Sequence, residues 1–374
     1  MGKQKRRVPA GETPRPGTAE EFRDALLTAA SATARGVRGA ARADRLVPGL
    51  DLPAGAAEGA RLAGHQVISR VARSGWLPDD LDQAARRRVD EFARSFALDT
   101  LAAHDQGAAR WWTDSEPHLT QWAAKHILTP AEALTSVIEA LGFLMTLPVL
   151  TPPGTAAPAR HTVDEKKLSR VRALLAKAES SSFPEEAEAL SAKAQELMTR
   201  HALDRVLVEA VPDVPASRRI WLDTPYVDAK SLLVHVVAKA NRCRAVFDPR
   251  WDFVTVVGDE DDLDAVALLT TSLLVQATRA MIADPAGRDR AFRKSFLVSY
   301  ATRVGERLDR AAEAAIAESP APDRLLPALA SHDLAVESAF TTLFPSVVSK
   351  SVTVRSAEGW DAGREAADRA RLGE

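Results

Sequence analysis

Between residues 289 and 310 the chain reads DRAFRKSFLVSYATRVGERLDR, and aromatic and arginine side chains recur there at helical spacing. Leu297, Ala301, Val304, Leu308, Ala311 and Ala315 form one apolar seam, and Phe292, Phe296, Ser299, Tyr300, Arg303, Arg307 and Arg310 fall on the neighbouring face. Guanidinium forks pair with phosphate oxygens and rings can stack on bases, so this face suits a phosphate-bearing partner, each stacked base contributing about 1–3 kcal/mol. The same spacing fits a second arrangement, in which the rings widen the buried face and the arginines pair with Glu306, Asp309 or the acids after Gly258. A basic tail, Lys3, Lys5, Arg6 and Arg7, carries the same ambiguity between phosphate attraction and a solvated terminus.

Other chemistry-bearing residues point less far. The run Asp259, Glu260, Asp261, Asp262 and Asp264 could surround a hard cation. Its place directly after Gly258, at a strand exit, makes it first the N-cap and first turn of a helix, where carboxylates suit the macrodipole. Eight histidines include no HxxxH or HExxH pair, and GxSxG, P-loop and GxGxxG motifs are absent from the sequence. His201, His235 and Cys243 read as structural side chains. No catalytic residue, metal ligand or cofactor is therefore assigned. An enzymatic alternative would place its site in the C-terminal region around Asp223, Lys230, His235, Arg244 and Asp261.

The 374 residues suffice for two or three domains with substantial cores. A formal charge of −2 gives no global pull toward nucleic acid or membrane. Cys243 stands alone, which excludes an intramolecular disulfide and suits a reducing cytoplasm. The apolar stretch from Val137 to Leu150 contains Glu139 and Pro148 and is too short to span a bilayer, so a soluble protein with no membrane partner is expected. Abundant alanine and arginine fit a GC-rich bacterial genome.

The pattern predicts an α+β, predominantly helical chain: a disordered basic tail at 1–18, a helical bundle at 19–147, a linker at 148–162, a helical hairpin at 163–210 and an α+β domain at 218–374 with a small, mainly antiparallel sheet. In the bundle, Gly75 to Asp79 leads into one long helix ending at Leu101. Trp111, Trp112 and Trp122 read as core anchors, and Thr129-Pro130-Ala131-Glu132 as a capped helix start. In the C-terminal domain, strands are predicted at Arg219–Leu222, Cys243–Phe247, Trp251–Val257 and Val347–Val354.

The hairpin has the most specific pattern. Leu168, Val171, Leu175 and Ala178 share one helical face; Ser180, Ser181 and Ser182 break the period; and Pro184, Glu185 and Glu186 open a second helix carrying Ala187, Leu190, Ala194, Leu197, Met198 and His201. With Leu174-Leu175-Ala176, the Pro184 turn, Ala194-Gln195-Glu196-Leu197-Met198 and a closing His201-Ala202-Leu203, the segment resembles domain of unknown function 2786, from which Phe183 departs. The resemblance implies architecture and supplies no functional residues. Taken together, the sequence leads to a non-enzymatic binding protein whose partner is a nucleic acid or another protein, the hairpin being the docking surface in the latter case.

Overall fold

The computed structural model describes residues 16–104 (apart from 40, 45 and 48–50), 116–150, 214–317, 322–348 and 352–370, with isolated positions between 170 and 197. The basic tail, Trp111, Trp112, the hairpin cassette and most of the expected linker lie outside the described residues. The chain divides into two compact units, Met1–Pro152 and Pro153–Glu374.

The first unit is helical: α1 (Ala19–Ala34), α2 (Ala56–Arg73), α3 (Pro78–Arg88), α4 (Glu91–His104), α5 (His118–Lys125) and α6 (Pro130–Thr146). Capping boxes start α1, at Thr18 and Glu21, and α6, at Thr129 and Glu132, each satisfying two orphan backbone N–H groups. The single helix expected from Pro78 to Leu101 is two. Val89 is extended, and the Asp90 carboxylate accepts from Ala93 N–H at 2.8 Å, so a β-branched stop followed by a new N-cap outweighs the continuous apolar period. Trp122 is fully buried, its ring edge-on to Phe96 and its indole N–H donating to Ser95 Oγ at 3.2 Å, as a core anchor requires.

Close approaches set how α1 sits on its neighbours. A Cβ at Gly59 would lie 2.6 Å from Phe22 Cβ and 2.8 Å from the Ala19 carbonyl, so the starts of α1 and α2 touch backbone to side chain. Gly142 of α6 faces Ala30 O and Thr33 Cβ, each 3.2 Å from a Cβ built there. Between the C-terminal halves of α1 and α2 a groove opens.

The second unit contains β1 (Ala216–Trp221), α7 (Val227–Ala240), β2 (Arg244–Asp248), β3 (Phe253–Gly258), α8 (Glu260–Ala283), α9 (Arg290–Ala317), α10 (Pro322–Leu343) and α11 (Ala357–Arg369). Its sheet has order β1-β3-β2, both pairs antiparallel, with β3 buried throughout. Val254 and Val256 join the main core with α7, α8 and α9. The α10 stripe Leu325, Leu329, His332, Val336 and Phe340 is buried at spacings of three and four, and α10 contacts β2 and β3. The unit is α+β and predominantly helical, with a small antiparallel sheet.

One expected strand is not formed among the described residues. The described residues of Val347–Val354 form no ladder: Val348 is 87 % exposed, while Val352 and Val354 rest against the core as irregular chain. Just beyond, the N–H groups of Arg355 and Ser356 both donate to Ser295 Oγ, at 3.2 and 3.0 Å. A side-chain hydroxyl supplies the acceptor that a neighbouring strand would have provided. The helix α8 is long and apolar enough to cross a bilayer by length and composition, which the sequence reading assigned to no segment; here ten of its residues, among them Leu263, Val266, Leu269 and Leu273, are buried within the unit.

Candidate functional site

The aromatic and arginine face of α9 comes first. Phe292, Phe296 and Tyr300 are each 1 % exposed and follow one another along the helix with ring centroids 6.1 and 6.2 Å apart. Above them lies α11. A Cβ at Gly359 would sit 2.5 Å from the Phe292 carbonyl oxygen, and one at Gly363 2.3 Å from that of Phe296, so two glycines one turn apart let the helices meet almost backbone to backbone. Ser299 Oγ donates to the Trp360 carbonyl at 2.6 Å. Burial pushes the Tyr300 phenol well above its ordinary range. In this fold Phe296 and Tyr300 are core side chains, out of reach of a base; their covering partner is distant in sequence.

The arginines of that face are engaged locally. Arg303 bridges Asp368 and Glu306, the latter at 2.7 Å, and this contact holds the Glu306 carboxyl below its usual range. Arg307 donates to the carbonyls of Ala367, Asp368 and Ala370, closing the C-terminus of α11 where a cation also complements the helix dipole. Arg310 is exposed and donates to the Glu306 carbonyl at 3.2 Å. Arg303 and Arg307 thus serve the α9–α11 contact, which corrects their assignment to an open phosphate-binding face. Lys3, Lys5, Arg6 and Arg7 lie outside the described residues.

The acidic run does begin a helix, with Asp259 at the N-cap and Glu260, Asp261 and Asp262 in the first turn of α8. Its carboxylates go to separate basic partners. Asp259 meets His332 Nδ1 at 3.1 Å, Asp262 faces Arg242 at 3.7 Å, and Asp264 pairs with Arg218. No group of three or more potential ligands converges among the described residues. The Asp259–His332 pair is buried, and His332 Nε2 has no hydrogen-bond partner. A carboxylate that orients an imidazole is half of a general-base arrangement, although here the free nitrogen is closed off from solvent.

Of the other residues considered for catalysis, Lys230 and Asp223 meet, while His235 and Arg244 are held by other partners. Lys230 Nζ donates to the Asp223 carbonyl at 2.7 Å, and burial lowers its amine from the ordinary range. His235 Nδ1 lies 2.7 Å from the Ser231 carbonyl one turn back. Arg244 pairs with Glu337 at 2.9 Å and lies 5.1 Å over the Phe340 ring, which fastens β2 to α10.

A concave site occurs instead in the first unit, where sequence reading assigned nothing. It is an open groove of about 690 Å³ between the C-terminal halves of α1 and α2 and the end of α6. Of the residues that line it, the apolar Leu27, Val67 and Met145 are buried or half-buried and make its floor, while Gln66, Arg35 and Arg70 are exposed. Arg35 donates to Ser31 Oγ at 2.7 Å, and Arg70 to the Leu144 carbonyl at 3.1 Å. Each guanidinium has five N–H donors, so these contacts fix its position and leave most donors facing outward. Arg38 and Arg73, each three residues further along the chain, are exposed as well, and among the described residues none of the four lies within ion-pair distance of a carboxylate. A trace was present in the sequence: the residues one turn before Arg35, Arg70 and Arg73 are Ser31, Gln66 and Ser69, where a neutralised helix would carry Asp or Glu.

Comparison with known proteins reaches only the segment between the described parts of the two units. No curated protein and no solved structure matches the chain. Residues 166–205 match the model of the family described as Protein of unknown function (DUF2786), which covers the hairpin cassette and identifies that segment of the chain.

Proposed function

We propose that the protein is a cytoplasmic, non-enzymatic binding protein that associates with nucleic acid through its N-terminal helical unit. The observation that carries this reading is the pair Arg35 and Arg70 at one groove, with Arg38 and Arg73 exposed three residues beyond them, all four without carboxylate partners among the described residues. Several other arginines are paired, as in Arg61 with Glu58, Arg94 with Asp82 and Arg303 with Asp368, whereas Arg35 and Arg70 line a groove with no carboxylate in ion-pair distance among the described residues. Uncompensated guanidinium groups on a fixed helical frame raise the local potential and suit phosphate forks, even in a chain of nearly neutral net charge. An enzymatic alternative in the second unit has only the Asp259–His332 pair to draw on, and it requires a substrate to reach a nitrogen that the folded unit encloses.

Salt-titrated binding of the full chain to labelled DNA and RNA tests the proposal. Four neutralised phosphates predict a slope of log K against log salt of about −3, and replacing the four arginines by alanine should flatten it. Absence of binding at low ionic strength by the unaltered protein would sink the nucleic-acid reading.

A further inference from the structure

We infer that the groove between α1, α2 and the end of α6 is the seat of a single nucleotide of an unpaired strand, its phosphates on Arg35 and Arg70 and its base on the apolar floor. This inference rests on the nucleic-acid reading above and adds to it the strandedness and the place of contact. The argument begins with volume: about 690 Å³ falls within the range of roughly 300–1,000 Å³ typical of small-ligand sites. A groove of that size has room for a nucleotide and is too small to admit a duplex.

Composition narrows the occupant. The floor of Leu27, Val67 and Met145 offers no charge and no strong hydrogen-bonding group. It suits the face of an unstacked base, for which the polarisable thioether of Met145 is a favourable neighbour. Gln66 presents an amide at the side, able to donate and accept at a base edge. At the rim the two guanidinium groups are held by Ser31 Oγ and the Leu144 carbonyl, so the forks are positioned before a ligand arrives. Apolar floor and cationic rim together match a ligand with a flat apolar body between anionic links. In a duplex the base faces are stacked on one another and unavailable; in a single strand they are free to enter. An acidic peptide is the competing occupant, and the uncompensated guanidinium forks, whose geometry matches phosphate oxygens bidentately, are what favour the nucleotide.

The test is fluorescence anisotropy with the full-length protein and labelled single-stranded and duplex oligonucleotides of the same sequence. Four proteins are compared: wild type, Arg35→Ala/Arg70→Ala, Leu27→Ser, and the exposed-surface control Arg288→Ala/Arg290→Ala from the second unit. Circular dichroism melts establish that each is folded. The single strand should bind roughly tenfold more tightly than the duplex, and Leu27→Ser should weaken it without changing the salt slope. The arginine pair variant should lower the slope by about 1.4, two phosphates' worth, and the control should match wild type. Three results overturn the inference while leaving nucleic-acid association standing: equal affinity for the two forms, groove variants indistinguishable from wild type, or displacement of the oligonucleotide by polyglutamate as readily as by polyphosphate. No binding of either form at low salt removes both readings at once.

Discussion

Gly363→Ala should lower the stability of the C-terminal unit by about 2–3 kcal/mol, although the same change in an exposed helix would stabilise by up to about 1 kcal/mol. The opposite sign follows from what the methyl group meets. It would lie 2.3 Å from the Phe296 carbonyl oxygen and 2.9 Å from Phe296 Cα and carbonyl carbon, where an unstrained carbon contact is roughly 3.5 Å or more. These are backbone atoms of a long helix, and no rotamer change relieves them. α11 must withdraw, and the Ser299 bond to Trp360 and the Arg307 bonds to the end of α11 loosen with it, each worth about 1 kcal/mol net. Gly359→Ala meets the Phe292 backbone in the same way, so the double variant should cost less than the sum of the two: one withdrawal relieves both clashes. Hydrogen exchange of peptides covering β3 in the full chain, with denaturant titration, reads the effect; a stability equal to or above wild type would show that α11 does not seat on these glycines.

Phe296→Ala should cost about 3–5 kcal/mol by the same measurement, the usual range for emptying a large buried aromatic site. Phe296 is 1 % exposed, lies between the rings of Phe292 and Tyr300, and sits under Gly363. The surrounding rings cannot collapse into the space, because Phe292 and Tyr300 are themselves pinned below α11. The folded fraction should bind nucleic acid as wild type does. A loss under about 1 kcal/mol together with weakened binding would return the ring to the surface role that its sequence context allows.

These residues show where the sequence was readable. The apolar seam of α9 follows directly from helical period, the capping box of α6 from Thr129 and Glu132, and the three strands that form from their β-branched runs, whereas the capping box of α1 at Thr18 lies inside the stretch read as a disordered tail. Whether a second face of α9 is buried depends on a partner, and periodicity describes one helix at a time. That partner, α11, announces itself only by Gly359 and Gly363, a spacing that means little until its opposite helix is known. The break at Val89 and Asp90 was hidden because the apolar period continues across it. The missing strand after Val347 alternates correctly, yet Ser295 captures the backbone beyond it. In the groove, the legible sign was negative, the absence of carboxylates one turn before Arg35, Arg70 and Arg73; the concavity itself depends on how three helices pack, to which Gly59 and Gly142 contribute close approaches elsewhere.

The glycine seat of α11 also sets an order of events during synthesis. Ser299 and Trp360 are 61 residues apart, so the aromatic face of α9 emerges from the ribosome long before its cover does. Until the chain has been made through residue 370, three large rings stand in water beside an otherwise assembled sheet and helix layer. The nascent second unit is thus an adhesive surface while the 61 residues from Ser299 to Trp360 are made, and α11 is what renders it inert.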